Sequence, residues 1–248
     1  MLIFGGVMVA ASIFVGYQYL LQVQCRKYIK HNDLANLKQL VNQRERLATA
    51  MLDDAYAEGN KAAFELLLNA GAKPDGIRYE RLTLVHNSAR NADGFWLKKL
   101  LEHGANPNYN DVLRSICPIM EAIEANQPEN VRLLIEAGAG VNACASHNES
   151  MLAFAWGMRN GEIAMILLEA GALVNPPSHR HESFINKIQR MSEDRYALDE
   201  QGERDEDFLE IARQRFRDQG LDVWNATWDE SQGDFGVWTI PVWSEKAK

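Results

Sequence analysis

The sequence predicts an all-α protein built as a row of stacked helical hairpins. Three observations carry that prediction. The first is the recurrence of one pattern in four places: Leu66-Leu67-Leu68-Asn69-Ala70-Gly71-Ala72, Leu100-Leu101-Glu102-His103-Gly104-Ala105-Asn106, Leu133-Leu134-Ile135-Glu136-Ala137-Gly138-Ala139 and Leu167-Leu168-Glu169-Ala170-Gly171-Ala172. Their glycines follow one another every 33 or 34 residues, a period of stacked repeats rather than of a single globular core. The second is a small residue at a fixed place in each copy, sixteen positions before the glycine: Ala55, Ser88, Ala122 and Ala155. The third is a long uncharged stretch at the N-terminus, which sets the first helix apart from the rest.

Each copy follows one physical logic. A leucine pair closes an apolar helical stripe, and the glycine suits the left-handed residue just beyond a helix C-terminus, where a Cβ would be strained. The helix ends there and a loop begins. The small residues mark where antiparallel helices come closest.

Residues 1–25 contain no charged side chain, and Leu2 to Val23 is nearly all apolar. About 22 helical residues reach ~33 Å, enough to cross the hydrocarbon of a bilayer. We expect one transmembrane helix over residues 1–24. A cleaved signal peptide would carry a positive region ahead of a shorter apolar stretch, and none is present. Arg26, Lys27 and Lys30 follow the segment with no Lys or Arg before it, which places the bulk of the chain in the cytoplasm, with a periplasmic or luminal location as the alternative. Tyr17, Tyr19 and Tyr28 bracket the exit, where a ring can rest in lipid while its hydroxyl meets water. Gly6-x-x-x-Ala10 and Ser12-x-x-x-Gly16 are small-residue spacings common in membrane helices. No Gly, Ser or Pro run separates this segment from Asn32, so the helix is expected to continue directly into the first repeat and hold the stack near the bilayer.

The openings of the units read Thr83-Leu84-Val85-His86, Cys117-Pro118-Ile119-Met120 and Ser150-Met151-Leu152-Ala153. Together with the Gly-Ala-x-x-Asn turns, these resemble the ankyrin-repeat family, whose Thr-Pro-Leu-His signature survives here in degraded form but in register. The resemblance covers roughly residues 28–176, within an expected repeat domain of 25–176 and about four to five units. Its first unit is worn: Asn32 to Val41 mimics a second helix without the Gly-Ala turn. A more polar terminal unit is what a stack needs to close its exposed apolar end.

The resemblance implies a protein-binding module that contacts its partner through loop tips and the concave side of each first helix. Carried over by register, the candidate partner-binding residues are Tyr79, Glu80, Arg90, Asn91, Arg114, Glu124, Ser146, His147, Glu149 and Met158. Phe64, Leu66, Leu67, Leu100, Leu101, Leu133, Leu134, Ile163, Leu167 and Leu168 have the spacing of the apolar core instead.

Pro176-Pro177 closes the array, because two prolines cannot continue a helix. Residues 177–248 are expected to form a mainly helical C-terminal cap with a Trp-rich extended tail. Phe184, Ile185, Ile188 and Met191 have helical spacing; an acidic run from Glu193 to Asp207 leads into a second helix with Phe208, Ile211, Ala212 and Phe216 on one face and Gly220 as its stop. Trp224, Trp228, Trp238 and Trp243 crowd the last 25 residues. Alternation through Val237-Trp238-Thr239-Ile240-Pro241-Val242-Trp243 suggests a strand or an extended tail, with Pro241 confining it to an edge. These tryptophans are expected to pack back on the last helices.

The net charge of −8 argues against nucleic acid, whose binding relies on Lys and Arg neutralising phosphates. Cys25, Cys117 and Cys144 have no metal-ligand spacing and form no disulfide framework, which favours a reducing compartment. His179-Arg180-His181 offers two imidazoles without a third ligand, and Cys144 near His147 is not ordered as a nucleophile and base. No phosphate loop, nucleophile elbow or His-Glu-x-x-His motif occurs. The expectation is therefore a non-enzyme with no cofactor, no metal and no small-molecule substrate, binding a protein beside a membrane as an adaptor. The alternatives are an antagonist of the immunity type, which occludes a toxin or enzyme active site, and an enzyme domain in residues 177–248.

Overall fold

The computed structural model describes residues 2–76, 83–109, 116–142, 150–158 and 160–172, with a few positions beyond: 214, 217–218, 220, 227–229 and 237–239. In the first helix the side chains are described from Val15 onward. The chain divides into two compact units, Met1–Tyr109 and Asn110–Lys248.

The first unit holds three helical hairpins. They are α1 (Leu2–Lys30) with α2 (Leu34–Val41), α3 (Glu45–Ala57) with α4 (Lys61–Asn69), and α5 (Leu84–Arg90) with α6 (Phe95–Glu102). Each hairpin packs on the next, α1 against α3 and α4 against α6. The second unit holds two hairpins among the described residues, α7 (Pro118–Glu124) with α8 (Pro128–Glu136) and α9 (Met151–Gly157) with α10 (Gly161–Glu169), stacked in the same way. The expected helix-hairpin repeat is thus present in both units.

The repeated glycines do what their position demands. Gly71, Gly104, Gly138 and Gly171 take φ values of 91°, 83°, 90° and 85°. In each case the following alanine N–H reaches back to the leucine carbonyl five residues earlier, Ala72 to Leu67 at 3.1 Å and Ala139 to Leu134 at 2.8 Å among them. The glycine N–H bonds the carbonyl three residues back. This pair of bonds is the Schellman motif, and it satisfies carbonyls that a helix end would otherwise leave open. A Cβ added at Gly104, Gly138 or Gly171 would meet nothing within 4 Å, so the constraint is backbone strain alone. Gly138→Ala is therefore expected to cost about 1–2 kcal/mol, and Gly138→Asn less, in urea unfolding followed by helical circular dichroism.

A second tight turn closes most hairpins. Asn32, Gly59 and Asn126 have φ of 54°, 67° and 52° between their paired helices. Asn60 N–H then donates to Ala55 O at 3.0 Å, Gln127 N–H to Ala122 O at 2.9 Å, and Asn160 N–H to Ala155 O at 3.0 Å. Three of the small residues spaced sixteen before the glycines, Ala55, Ala122 and Ala155, are those acceptors, Ser88 O accepts instead from Asn91 N–H at 3.1 Å, and all four are fully buried. The worn first unit closes its second helix with Gln43 at φ 58° in the place of the missing glycine.

The core follows the predicted stripe with one refinement. Phe64, Leu67, Leu100, Leu134, Ile163, Leu167 and Leu168 are buried, whereas Leu66, Leu101 and Leu133, one from each of the other three pairs, are half-exposed. An α-helix turning 100° per residue cannot bury every adjacent leucine to the same depth.

Helix α1 runs unbroken across the expected boundary at residues 24/25. Leu21, Cys25 and Ile29, four apart, are buried, while Tyr19, Leu20 and Val23 on the other side are exposed. Its later half is thus the first helix of the stack. Among the described residues no helix is long and apolar enough to cross a membrane; the side chains of residues 1–14, on which the expected anchor largely rests, lie outside them.

In the C-terminal part, Gly220 has φ 72° and its N–H donates to Arg217 O at 2.8 Å, as its role as a helix stop requires. The short strands β1 (Thr227–Asp229) and β2 (Val237–Thr239) pair antiparallel, with Trp228 opposite Trp238. A small hairpin therefore belongs to an otherwise helical set of elements. The helix expected at 184–191, the helix face Phe208–Phe216, Trp224, Trp243 and the closing Pro176-Pro177 lie outside the described residues.

Candidate protein-binding surface

Successive hairpins are held in register by polar contacts that repeat along the chain. In the first unit Arg26 Nε meets the Asp54 carboxylate at 3.1 and 3.2 Å, Lys99 Nζ meets Glu65 at 2.9 Å, and His103 Nε2 lies 3.3 Å from Asn69 Oδ1. The Asp75 carboxylate accepts from Asn106 N–H at 3.1 Å. In the second unit Arg132 meets Glu162 at 3.5 Å. Such exposed pairs are each worth little. Their spacing fixes which side chains each hairpin leaves outward.

The partly buried amide bridges matter more. Asn60 caps α4 by accepting from Ala63 N–H at 2.9 Å, and its Nδ2 donates to Ile29 O at 2.7 Å and Asn32 Oδ1 at 3.1 Å in the preceding hairpin. Asn160 repeats the bridge in the second unit, with Nδ2 2.7 Å from Ile123 O. In Asn60 one side-chain amide both accepts the cap bond and donates across, while Asn160 makes the bridge without the cap bond.

The unit openings differ in how they are tied. Thr83 N–H and Oγ1 lie 3.3 and 3.0 Å from His86 Nδ1, and the imidazole is fully buried with an edge-on ring contact to Tyr109 at 5.9 Å. Accepting from the Thr83 N–H puts the ring proton on Nε2. Ser150 Oγ instead accepts from Ala153 N–H at 3.1 Å, and Cys117 makes no side-chain cap. Burial pushes the Cys117 thiol above its ordinary pKa, as befits a packed residue rather than a reactive one.

Four of the ten candidate contact residues are described. Arg90 ends α5, Glu124 ends α7, and Met158 is the cap residue of α9, so register places all three at the C-terminal end of the first helix in their hairpins. All three are exposed, Met158 by 43 %. In the second unit Glu124 and Met158 stand on neighbouring helices, a carboxylate and a soft apolar side chain on one edge. Asn91 is different. It is half-buried, its Nδ2 donates to Tyr56 Oη at 3.1 Å, and its Oδ1 accepts from Asp93 N–H at 2.9 Å. Tyr79, Glu80, Arg114, Ser146, His147 and Glu149 lie outside the described residues.

The turn that Asn91 builds is the irregular one. Between α5 and α6 there is no left-handed residue, and Tyr56, Phe64, Phe95 and Trp96 gather there with ring centroids 5.1–5.3 Å from Trp96. Lys61 Nζ lies 5.0 Å over the Phe95 ring and 2.6 Å from Asp93, whose carboxylate also accepts from Phe95 N–H at 3.2 Å. The Lys61 hydrogen bond holds Asp93 below the usual carboxylate range. Because the folded pKa lies below the unfolded one, this contribution is complete above about pH 4 and is lost as pH falls through the lowered value. Asp93→Asn is expected to weaken the acid dependence of stability by no more than about 1 kcal/mol, solvent screening included, in unfolding curves taken from pH 6 down to pH 3.

Sequence reasoning did not find Glu121 and Asn130, two polar residues only 5 % and 2 % exposed in the second unit. No pattern in the chain sets them apart from the solvated Glu and Asn around them. Among the described residues no group of three or more His, Cys, Asp or Glu could hold a metal ion.

Comparison with known proteins bears on the repeats directly. The family model for ankyrin repeats (3 copies) matches residues 85–178, which contain α5 to α10. No curated protein matches the chain. Ankyrin repeats generally mediate protein–protein interaction. The matched segment, the Schellman turns at the repeat glycines, and the Thr83–His86 contact at the head of α5 show that this chain contains ankyrin repeats.

Proposed function

We propose that the chain is a membrane-anchored binding module that holds a protein partner beside the bilayer as an adaptor. The observation that carries this reading is the continuity of α1. One helix from Leu2 to Lys30 joins an uncharged segment, Met1 to Cys25, to a stack whose first buried contacts are Leu21, Cys25 and Ile29. A module that merely floated would gain nothing from a long, mostly apolar segment fused rigidly to its first hairpin. Arg26, Lys27 and Lys30 favour a cytoplasmic stack.

Exposed Arg90, Glu124 and Met158 are the described positions offered to the partner, with Tyr79, Glu80, Arg114, Ser146, His147 and Glu149 completing the surface that the family register assigns. A mixture of charge and soft apolar side chains suits a protein surface better than a nucleic acid or a small polar substrate. The proposal includes no catalytic step and no cofactor.

Affinity capture of the full chain from detergent-solubilised membranes, with crosslinking before lysis, tests the reading. The expected result is one protein retained through a high-salt wash by the native chain and lost from a variant carrying Arg90→Ala, Glu124→Ala and Met158→Ala. Equal capture by both, or a chain extracted from membranes by alkaline wash alone, would overturn it.

A further inference from the structure

The packing of α1 on α3 fixes which end of the first unit lies toward the N-terminal part of α1. Helices α1 and α3 run parallel with a constant offset: Arg26 pairs with Asp54, and Asn32 with Asn60, both 28 residues on. By that offset the first residue of α3, Glu45, is level with Tyr17. Alongside α3 the outward side of α1 carries Tyr19, Leu20 and Val23, 65 %, 53 % and 42 % exposed, with an exposed Gln24 among them and the first charge at Arg26.

The end of the stack at that level is built from the first turn of α3 and the chain leaving α4. Lys73 N–H donates to Thr49 Oγ1 at 2.9 Å and Lys73 Nζ meets Glu45 at 3.1 Å, which ties residues 73–76 to this end. Lys73 and Arg46 are both exposed, while Arg44 turns back onto Leu40 O.

We infer that this end, bearing Arg46 and Lys73, faces the bilayer and sits within its headgroup layer, with α1 and α3 standing upright on the membrane. The inference rests on the anchor proposed above and adds the orientation. Tyr17 and Tyr19 then occupy the interface, and the two basic side chains reach lipid phosphates that offset the cost of placing charge there. The opposite end, with Glu58 and Gly59, points into water.

The test uses the full chain with Cys144→Ser, reconstituted in vesicles of phosphatidylcholine and phosphatidylglycerol, and a nitroxide placed at Arg46→Cys or at Glu58→Cys. These positions are about 18 Å apart along α3, and both are exposed. Shielding of the label at 46 from a water-soluble nickel chelate, several-fold stronger than at 58, is the expected result. Equal access at both positions while the chain survives an alkaline wash would overturn the orientation and leave the anchor standing. A chain that washes off the vesicles would overturn the anchor and the orientation with it. Shielding of both labels in detergent micelles as strongly as in vesicles would trace the effect to protein packing, again against the inference.

Discussion

Phe64→Ala is expected to lower the stability of the first unit by about 3–5 kcal/mol, the largest single effect in the described structure. The ring is fully buried on α4 and meets Trp96 of the next hairpin edge-on, centroids 5.1 Å apart at 89°. Truncation removes the transfer energy of the ring, opens a cavity that the rigid hairpins on either side cannot close, and forfeits an aromatic pair worth about 1 kcal/mol on its own. Phe64→Leu keeps most of the volume and should cost less than half as much. Urea unfolding read by helical circular dichroism separates the two. Equal losses for Ala and Leu would mean that the aromatic edge, rather than volume, is what the site requires.

Asn60→Ala is expected to cost about 1–2 kcal/mol, from a lost helix cap together with the loss of the amide bridge to Ile29 O, which keeps only the Asn32 N–H at 3.2 Å. Asn60→Asp separates the two parts. It retains the acceptor for Ala63 N–H and removes the donor to Ile29 O and Asn32 Oδ1. Its cost should therefore fall between wild type and alanine, and it should appear in hydrogen exchange as faster opening at the C-terminal end of α1. Asn160→Ala carries the same loss toward Ile123 in the second unit. If Asn60→Asp proved as damaging as alanine, the cap would contribute nothing and the bridge everything.

These two residues show what was legible in the chain and what was not. The period, the glycine turns and the buried small residues could be read directly, because a left-handed backbone position and a close helix approach each admit very few side chains. Asn60 and Asn160 could not, since an asparagine at a helix start looks the same whether its amide ends in water or in the neighbouring hairpin. Gln43, Asn32 and Asn126 take left-handed conformations that the sequence gives no reason to expect of Gln and only a modest reason to expect of Asn. For the binding surface, family register located Arg90, Glu124 and Met158 at one recurring place. It also nominated Asn91, whose amide is engaged with Tyr56 and Asp93. Register gives the position of a Cα. It carries no knowledge of the four-residue connection from Asn91 to Gly94, where the tight turn of the other hairpins gives way to an aromatic cluster.

The unbroken first helix also bears on how the chain can be shortened. Trimming at residue 24 would take away Leu21 and leave Cys25 and Ile29 on a frayed stub, so α1 would lose one of its three buried side chains along with the uncharged N-terminal segment. A cut before Val15 spares that packing but keeps an oily strip on the outside. No single peptide bond separates the exposed apolar stretch of this helix from its packed one, and a protease that removed the first would damage the second.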